Sequence, residues 1–227
     1  MQQSVKLIGL TSPSAITGTR TAEELVAYAA RVSNPGNQNI EKTAPKLLSY
    51  LIKENHWSPF EMVSMTMEIV TTRDISRQII RHRSFSFQEF SQRYAQVVNT
   101  PSLPNFRRQD TTNRQNSIDD LNDYTQQEFQ IRTQDLFDQS LALYNEMLAA
   151  GVAKECARDV LPLSTPTKLY MNGTLRSWLH YTALRCANGT QYEHQLIATG
   201  VKHLLIQQFP LVSEAMWSGE RSEPVKK

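Results

Sequence analysis

The sequence predicts an α/β protein of the α+β kind, with a central mixed or antiparallel sheet and a helical majority. Two observations carry this reading. Residues 5–10 and 60–70 have the apolar or alternating character of strands. Most other legible segments place apolar residues at helical spacing between caps and breakers. An apolar content of 40% against 20% charged residues supplies the core of a soluble globular chain. No repeat, low-complexity tract or sharp linker divides residues 1–227, so one domain is expected.

The elements follow in order. Residues 5–10 form a strand stopped by Thr11-Ser12-Pro13. Thr21 and Glu24 make a capping-box pattern, in which a hydroxyl and a carboxylate three residues apart satisfy backbone amides at a helix start. That helix runs to about Val32 and breaks at Asn34-Pro35-Gly36. Leu47, Leu48 and Leu51 mark a second helix over 40–53. Between 60 and 70, Val63, Met65, Met67 and Ile69 alternate with Ser64, Thr66, Glu68 and Val70. Both faces are largely apolar, so this strand is expected to be covered on each side, with Met62, Met65 and Met67 in packing roles.

Residues 73–82 read as a helix on which Arg73, Arg77 and Arg81 share a face. The stretch 99–117 is polar, contains Pro101 and Pro104, and is expected to be a long mobile loop. A long helix spans 119–150, with Phe137, Leu141, Tyr144 and Leu148 as its buried stripe and Gly151 as a left-handed cap. A short helix over 154–160 is stopped by Pro162. Helices over 174–187 and 192–209 are parted by Asn188-Gly189, and residues 218–227 are expected to fray.

Several function classes are disfavoured. A formal charge of +2 is too small for a nucleic-acid footprint, and positive charge is concentrated between Arg73 and Arg93. No apolar run is long enough to span a bilayer. Cys156 and Cys186 form no CxxC pair and read as reduced, buried thiols, which suits a soluble, reducing, cytoplasmic setting. The histidines are too scattered for a metal site, and neither a G-x-G turn nor a P-loop is present. Any bound diphosphate must therefore be held by side chains and loop amides.

The stretch Arg81-His82-Arg83-Ser84-Phe85-Ser86-Phe87-Gln88-Glu89-Phe90-Ser91-Gln92-Arg93-Tyr94 supplies such side chains. Guanidinium groups bind phosphate through paired hydrogen bonds. Glu89 alone cannot balance Arg77, Arg81, Arg83 and Arg93, and that imbalance argues for bound anions. The stretch resembles the signature of the flavin-dependent thymidylate synthases, Arg-His-Arg-x-x-Ser-x-Asn-Glu-x-Ser-x-Arg-Tyr. Every fixed position matches except Gln88, which stands in place of Asn. The resemblance covers roughly residues 50–95 and 155–210. It includes His56-Trp57-Ser58-Pro59-Phe60-Glu61, Gln78, Ala157-Arg158-Asp159-Val160-Leu161-Pro162, Arg176 through Arg185, and Gln191 with Glu193.

The resemblance implies one catalytic domain that reductively methylates dUMP to dTMP. Methylenetetrahydrofolate would give the carbon, reduced FAD the hydride, and NADPH would recharge the flavin. It also implies a homotetramer with active sites at subunit junctions and no enzyme nucleophile. Arg81, His82, Arg83 and Glu89 look like FAD contacts, with Ser58, Arg176 and His180. Thr174 occupies a place where relatives often carry a flavin-contacting Asn, so either Thr174 or nearby Asn172 serves. Gln78, Arg81, Glu89, Ser91, Arg93 and Arg158 look like dUMP contacts, and Arg185 matches the catalytic arginine facing the uracil. No metal is implied.

Helical geometry adds a further expectation. Arg176 and His180 share a face, whereas Arg185 lies about 140° around the helix from His180. One compact ligand cannot touch both, so this helix is expected to serve two sites. Trp178 and Tyr181 read as core, and His194 and His203 as structural.

Overall fold

The computed structural model describes residues 3–38 and 41–217. Residue 40, the expected first residue of the second helix, and the expected frayed tail at 218–227 lie outside the described residues. The elements in chain order are β1 (Ser4–Leu10), α1 (Ala22–Ala30), α2 (Ala44–Lys53), β2 (Ser64–Thr72), α3 (Arg73–Ile79) and β3 (Ser86–Glu89). Then come β4 (Arg108–Gln109), β5 (Ser117–Ile118), α4 (Asp123–Ala149), α5 (Lys154–Ala157), β6 (Pro166–Thr174), α6 (Leu175–Arg185), α7 (Tyr192–Gln208) and α8 (Pro210–Trp217).

Four strands pair in the order β1-β2-β6-β3, and every pairing is antiparallel. Of the two sheet types the sequence allowed, the antiparallel one forms. Leu7, Met67, Met171 and Phe87 lie opposite one another across the four strands. Met65, Met67, Ile69, Leu169 and Met171 are fully buried in the main core, which also takes Val26, Leu48, Trp178, Leu179, Ile197, Val201 and Leu205 from the helices. One face of β2 is therefore core. Its other face, expected to be covered as well, is only half-buried along Ser64, Thr66, Glu68 and Val70. Met62, expected to pack, sits on a 3-10 turn over Ser58–Met62 and is 56% exposed.

Local signals held at the caps. Thr21 and Glu24 form the reciprocal capping box at the start of α1. Gly151 takes φ +85°, and the bonds Gly151 N to Leu148 O and Val152 N to Met147 O close α4 in a Schellman motif. Phe137 and Tyr144 of α4 are buried, and Tyr144 joins Val97 and Ala157 in a second, smaller core.

Other readings are corrected. The helix expected over 73–82 stops at Ile79, so Arg81 lies beyond it and does not continue the face of Arg73 and Arg77. Strand β6 was missed, although Thr167, Leu169 and Met171 alternate with exposed Lys168 and Asn172. Strand β3 and helix α8 were missed too. The 99–117 stretch contains β4 and pairs with β5, held by a bidentate Arg108–Asp120 contact. Cys156, expected to be buried, is exposed on the short α5.

Candidate active site

The sheet brings the signature against α6. Thr174 caps α6 by accepting from the Ser177 amide at 3.3 Å, and Ser177 Oγ donates to the Ser84 carbonyl at 3.2 Å. Phe85 packs edge-on against Trp178 with ring centroids 4.7 Å apart. This approach needs Gly173, where a Cβ would lie 2.3 Å from the Phe85 ring. The turn carrying His82 is thereby fixed on α6, although more than 100 residues separate His82 from Arg185 in sequence.

There Arg185 Nε donates to His82 Nε2 at 2.9 Å. An arginine cannot accept, so His82 must carry its proton on Nδ1. Burial, and then the Arg185 charge, push the His82 pKa down to about 4, so the ring is neutral near pH 7. The Arg185 terminal nitrogens have no hydrogen-bond partner among the described residues. His82 meets Tyr181 edge-on at 5.0 Å. Tyr181 is buried, which holds its hydroxyl protonated above the usual range. That hydroxyl lies 3.1 Å from His194 Nε2, and His194 Nδ1 lies 3.3 Å from Gln78 Oε1. His194 is fully buried, and burial followed by the Arg185 and His82 charges lowers its pKa to about 3.

The structure thus brings Gln78, His82 and Arg185 together and adds Tyr181 and His194. The sequence by itself points to a core role for Tyr181 and a structural one for His194. A signal existed: His194 falls on the buried stripe of α7 with Ile197, Ala198 and Val201, and a polar ring in such a stripe needs partners.

A second group is the arginine cleft. Arg73, Arg77, Gln92, Arg158 and Asp159 line a cleft of about 260 Å³ beside the 161–163 turn. Arg73 is paired to Glu89 at 2.9 Å, and the same Glu89 oxygen accepts from Ser76 at 2.8 Å and Thr167 at 2.9 Å. Glu89 therefore ties β3 to α3 and β6. Arg158 Nε reaches the Glu155 carbonyl, Arg93 pairs with the Glu155 carboxylate at 3.0 Å, and Ser91 Oγ accepts from the Arg93 amide. Arg77, Arg81 and Arg83 make no ion pair among the described residues, and Arg81 and Arg83 are exposed. Uncompensated guanidinium groups of this density fit phosphate-bearing ligands.

A third group sits at the other end of α6. Arg176 pairs with Glu61 at 2.7 Å, and His180 packs edge-on against Trp57 at 4.7 Å, next to exposed Ser58. Burial and the Arg176 charge lower the His180 pKa. Asn172 donates to Thr66 Oγ1 at 2.6 Å and to the Met65 carbonyl, while Thr174 is occupied as the cap. A larger cavity of about 580 Å³ lies between β1, the 102–107 segment and α7, and none of the site residues expected from the sequence lines it. The arginine of that cavity, Arg107, is paired with Glu193, whereas Arg77, Arg81 and Arg83 make no ion pair among the described residues.

A family model described as thymidylate synthase complementing protein matches residues 15–211. The chain is 53% identical over 213 residues to a probable flavin-dependent thymidylate synthase of Paramecium bursaria Chlorella virus 1, covering 94% of this chain and 98% of the relative. It is 48% identical over 214 residues to the flavin-dependent thymidylate synthase of Synechocystis sp., covering 93% and 98%. Among solved structures, the UMP/dUMP methylase PolB from Streptomyces cacaoi, bound with 5-Br dUMP, superposes with a TM-score of 0.82 at 26% identity, covering 96% of this chain and 95% of PolB.

Proposed function

The chain belongs to the flavin-dependent thymidylate synthase family, and from that premise we propose that it methylates dUMP to dTMP in the cytoplasm as a single catalytic domain. Methylenetetrahydrofolate is the carbon donor and NADPH the reductant. Bound FAD supplies the hydride chemistry, because no side chain here can deliver one. The observation that carries the reading is the Arg185–His82 contact, alongside Arg77, Arg81 and Arg83, which make no ion pair among the described residues.

The residues divide the work. Arg77, Arg81, Arg83, Arg93 and Arg158 offer charge to the phosphates of nucleotide and flavin. Ser58, Arg176 and His180 serve the flavin from one end of α6, and Arg185 serves the nucleotide from the other. Ser91 and Gln78 contact the nucleotide, and Glu89 holds the arginine cleft in shape. Of the two candidates near the start of α6, Thr174 acts through its cap, while Asn172 is bound to the neighbouring strand.

Neutral His82 accepts from Arg185 Nε and so fixes the plane of the guanidinium. Its charged terminal nitrogens then face the uracil, lower the pKa of the ring N–H and raise electron density at the carbon that attacks. The effect is electrostatic and needs no enzyme nucleophile. The homotetramer belongs to the same reading. It is supported by Phe129, Leu136 and Leu143 of α4, which recur every seventh residue and are 43%, 62% and 47% exposed.

Tritium release from labelled dUMP, with NADPH and methylenetetrahydrofolate, tests the proposal. The wild-type protein is expected to purify yellow and release tritium. Arg185→Ala is expected to keep the flavin and lose on the order of 10²–10³ in kcat. A colourless protein that takes up no FAD, or near-normal turnover in the variant, contradicts it.

A further inference from the structure

One run of hydrogen bonds in this molecule has a direction that can be read from its charged end. Arg107, on the segment before β4, is almost buried, with 11% of its side chain exposed. Its Nε donates to Ser117 Oγ at 2.9 Å, its Nη1 to Glu193 Oε1 at 2.7 Å and its Nη2 to Glu193 Oε2 at 2.9 Å. The guanidinium also lies 5.2 Å from the centre of the Tyr192 ring. Burial works against ionisation of Glu193, but hydrogen bonds from Arg107 and Gln191 outweigh it and hold its pKa below the usual range. Glu193 is therefore a carboxylate, able only to accept.

The rest follows link by link. Gln191 meets Glu193 Oε2 at 3.0 Å and must present its amide nitrogen there. Its oxygen is left for Gln78, which must donate through Nε2, at 2.6 Å. Gln78 Oε1 then faces His194 Nδ1 at 3.3 Å, so that nitrogen carries the proton. His194 Nε2 is left as a lone pair and accepts from the Tyr181 hydroxyl at 3.1 Å. Reversing any amide in this chain would set donor against donor or acceptor against acceptor. Amide and imidazole orientations are ambiguous on their own, but one ionised end removes the ambiguity from all of them.

We propose that Arg107 and Glu193 are positioning residues that fix which way the Gln78 amide points, and through it select uracil over cytosine in the nucleotide. The inference rests on the reading of Gln78 as a dUMP contact. Uracil presents a carbonyl and a ring N–H where cytosine presents an amino group and a ring lone pair, so the two bases invert donor and acceptor along one edge. A glutamine amide locked in one orientation matches only one of those patterns. One free to turn through 180° serves both, and specificity is lost through the penalty that no longer falls on the wrong base.

The experiment is calorimetric titration of the flavin-loaded protein with dUMP and with dCMP. Glu193→Gln keeps the shape but can offer Gln191 an N–H, so the whole chain can reverse. Gln191→Met removes the link at an exposed position and leaves the buried Arg107 pair intact. In the wild type dUMP is expected to bind far more tightly than dCMP. Each variant is expected to narrow the ratio about tenfold or more, chiefly by admitting dCMP. If Glu193→Gln does not fold, Gln191→Met alone decides. An unchanged ratio in the folded variants, or an equal loss for both bases, overturns the inference while leaving the proposed function standing. A wild type that binds neither nucleotide sinks both.

Discussion

His82 and Arg185 act as a pair because one can only donate and the other has a lone pair to accept. Burial, and then the Arg185 charge, keep the His82 ring neutral, so its Nε2 accepts from Arg185 Nε. His82→Ala is expected to keep the fold and lose about 10- to 100-fold in kcat, since a misplaced reacting group costs rate steeply. His82→Gln, whose amide oxygen can still accept from Arg185, is expected to recover most of the loss. Rates normalised to flavin content decide this, and equal losses in both variants would remove the orienting role. A pH effect follows from the same pair. His82 and His194 have folded pKa values of about 4 and about 3, below the ordinary 6.5. The unfolded chain therefore binds more protons than the folded one below pH 6.5. Stability is full above that value and declines as pH falls through 4 toward 3. Thermal melts across this range are expected to show the decline, and His194→Gln should flatten it whatever its effect at pH 7.

At the scale of elements, the site depends on how closely the signature turn can approach β6 and α6. Gly173 lets the Phe85 ring lie where a side chain would otherwise stand, and Phe85 is three residues from His82. Gly173→Ala is expected to cost about 1–3 kcal/mol in urea unfolding, as overpacking does. It should also weaken nucleotide binding, because the ring and the His82 turn move together. Wild-type stability and affinity in this variant would show that the contact is not needed. Elements with local signals were legible: the Thr21–Glu24 box and the Gly151 cap were read from a few neighbouring residues, because the groups that form them are neighbours in sequence. Strand β6 was less legible, since Asn172, Gly173 and Thr174 at its end look like a turn until β2 and β3 supply its partners.

For the whole molecule, the apolar stripe of Phe129, Leu136 and Leu143 is left on the surface of α4 while its other face fills the smaller core. If these side chains meet another copy, Leu136→Lys is expected to give smaller species in light scattering and to lower activity in parallel, because shared sites fail when subunits part. A fully active monomer, in the variant or the wild type, would end the shared-site reading. The stripe of Phe137, Leu141, Tyr144 and Leu148 was legible in α4 taken alone, and Phe137 and Tyr144 are buried as that reading expects. What α4 does not carry is the identity of the groups that cover it: Val97 and Ala157, which pack with Tyr144, come from other parts of the chain.

The sequence by itself determined the chemistry available here: the arginines, the histidine among them, the glutamine before them and the helix ending in Arg185. These are choices of side chain, and side-chain chemistry is written residue by residue. Tertiary structure decided who touches whom. It turned Glu89 inward to bind Arg73, Ser76 and Thr167, and made a cap of Thr174. It also drew Tyr181, His194 and Arg107 into the neighbourhood of Gln78 through bonds that span up to 116 residues. The physical reason is that a hydrogen bond depends on distance and direction in space, and for residues so far apart in the chain both are set only when the sheet closes and α7 packs beside α6.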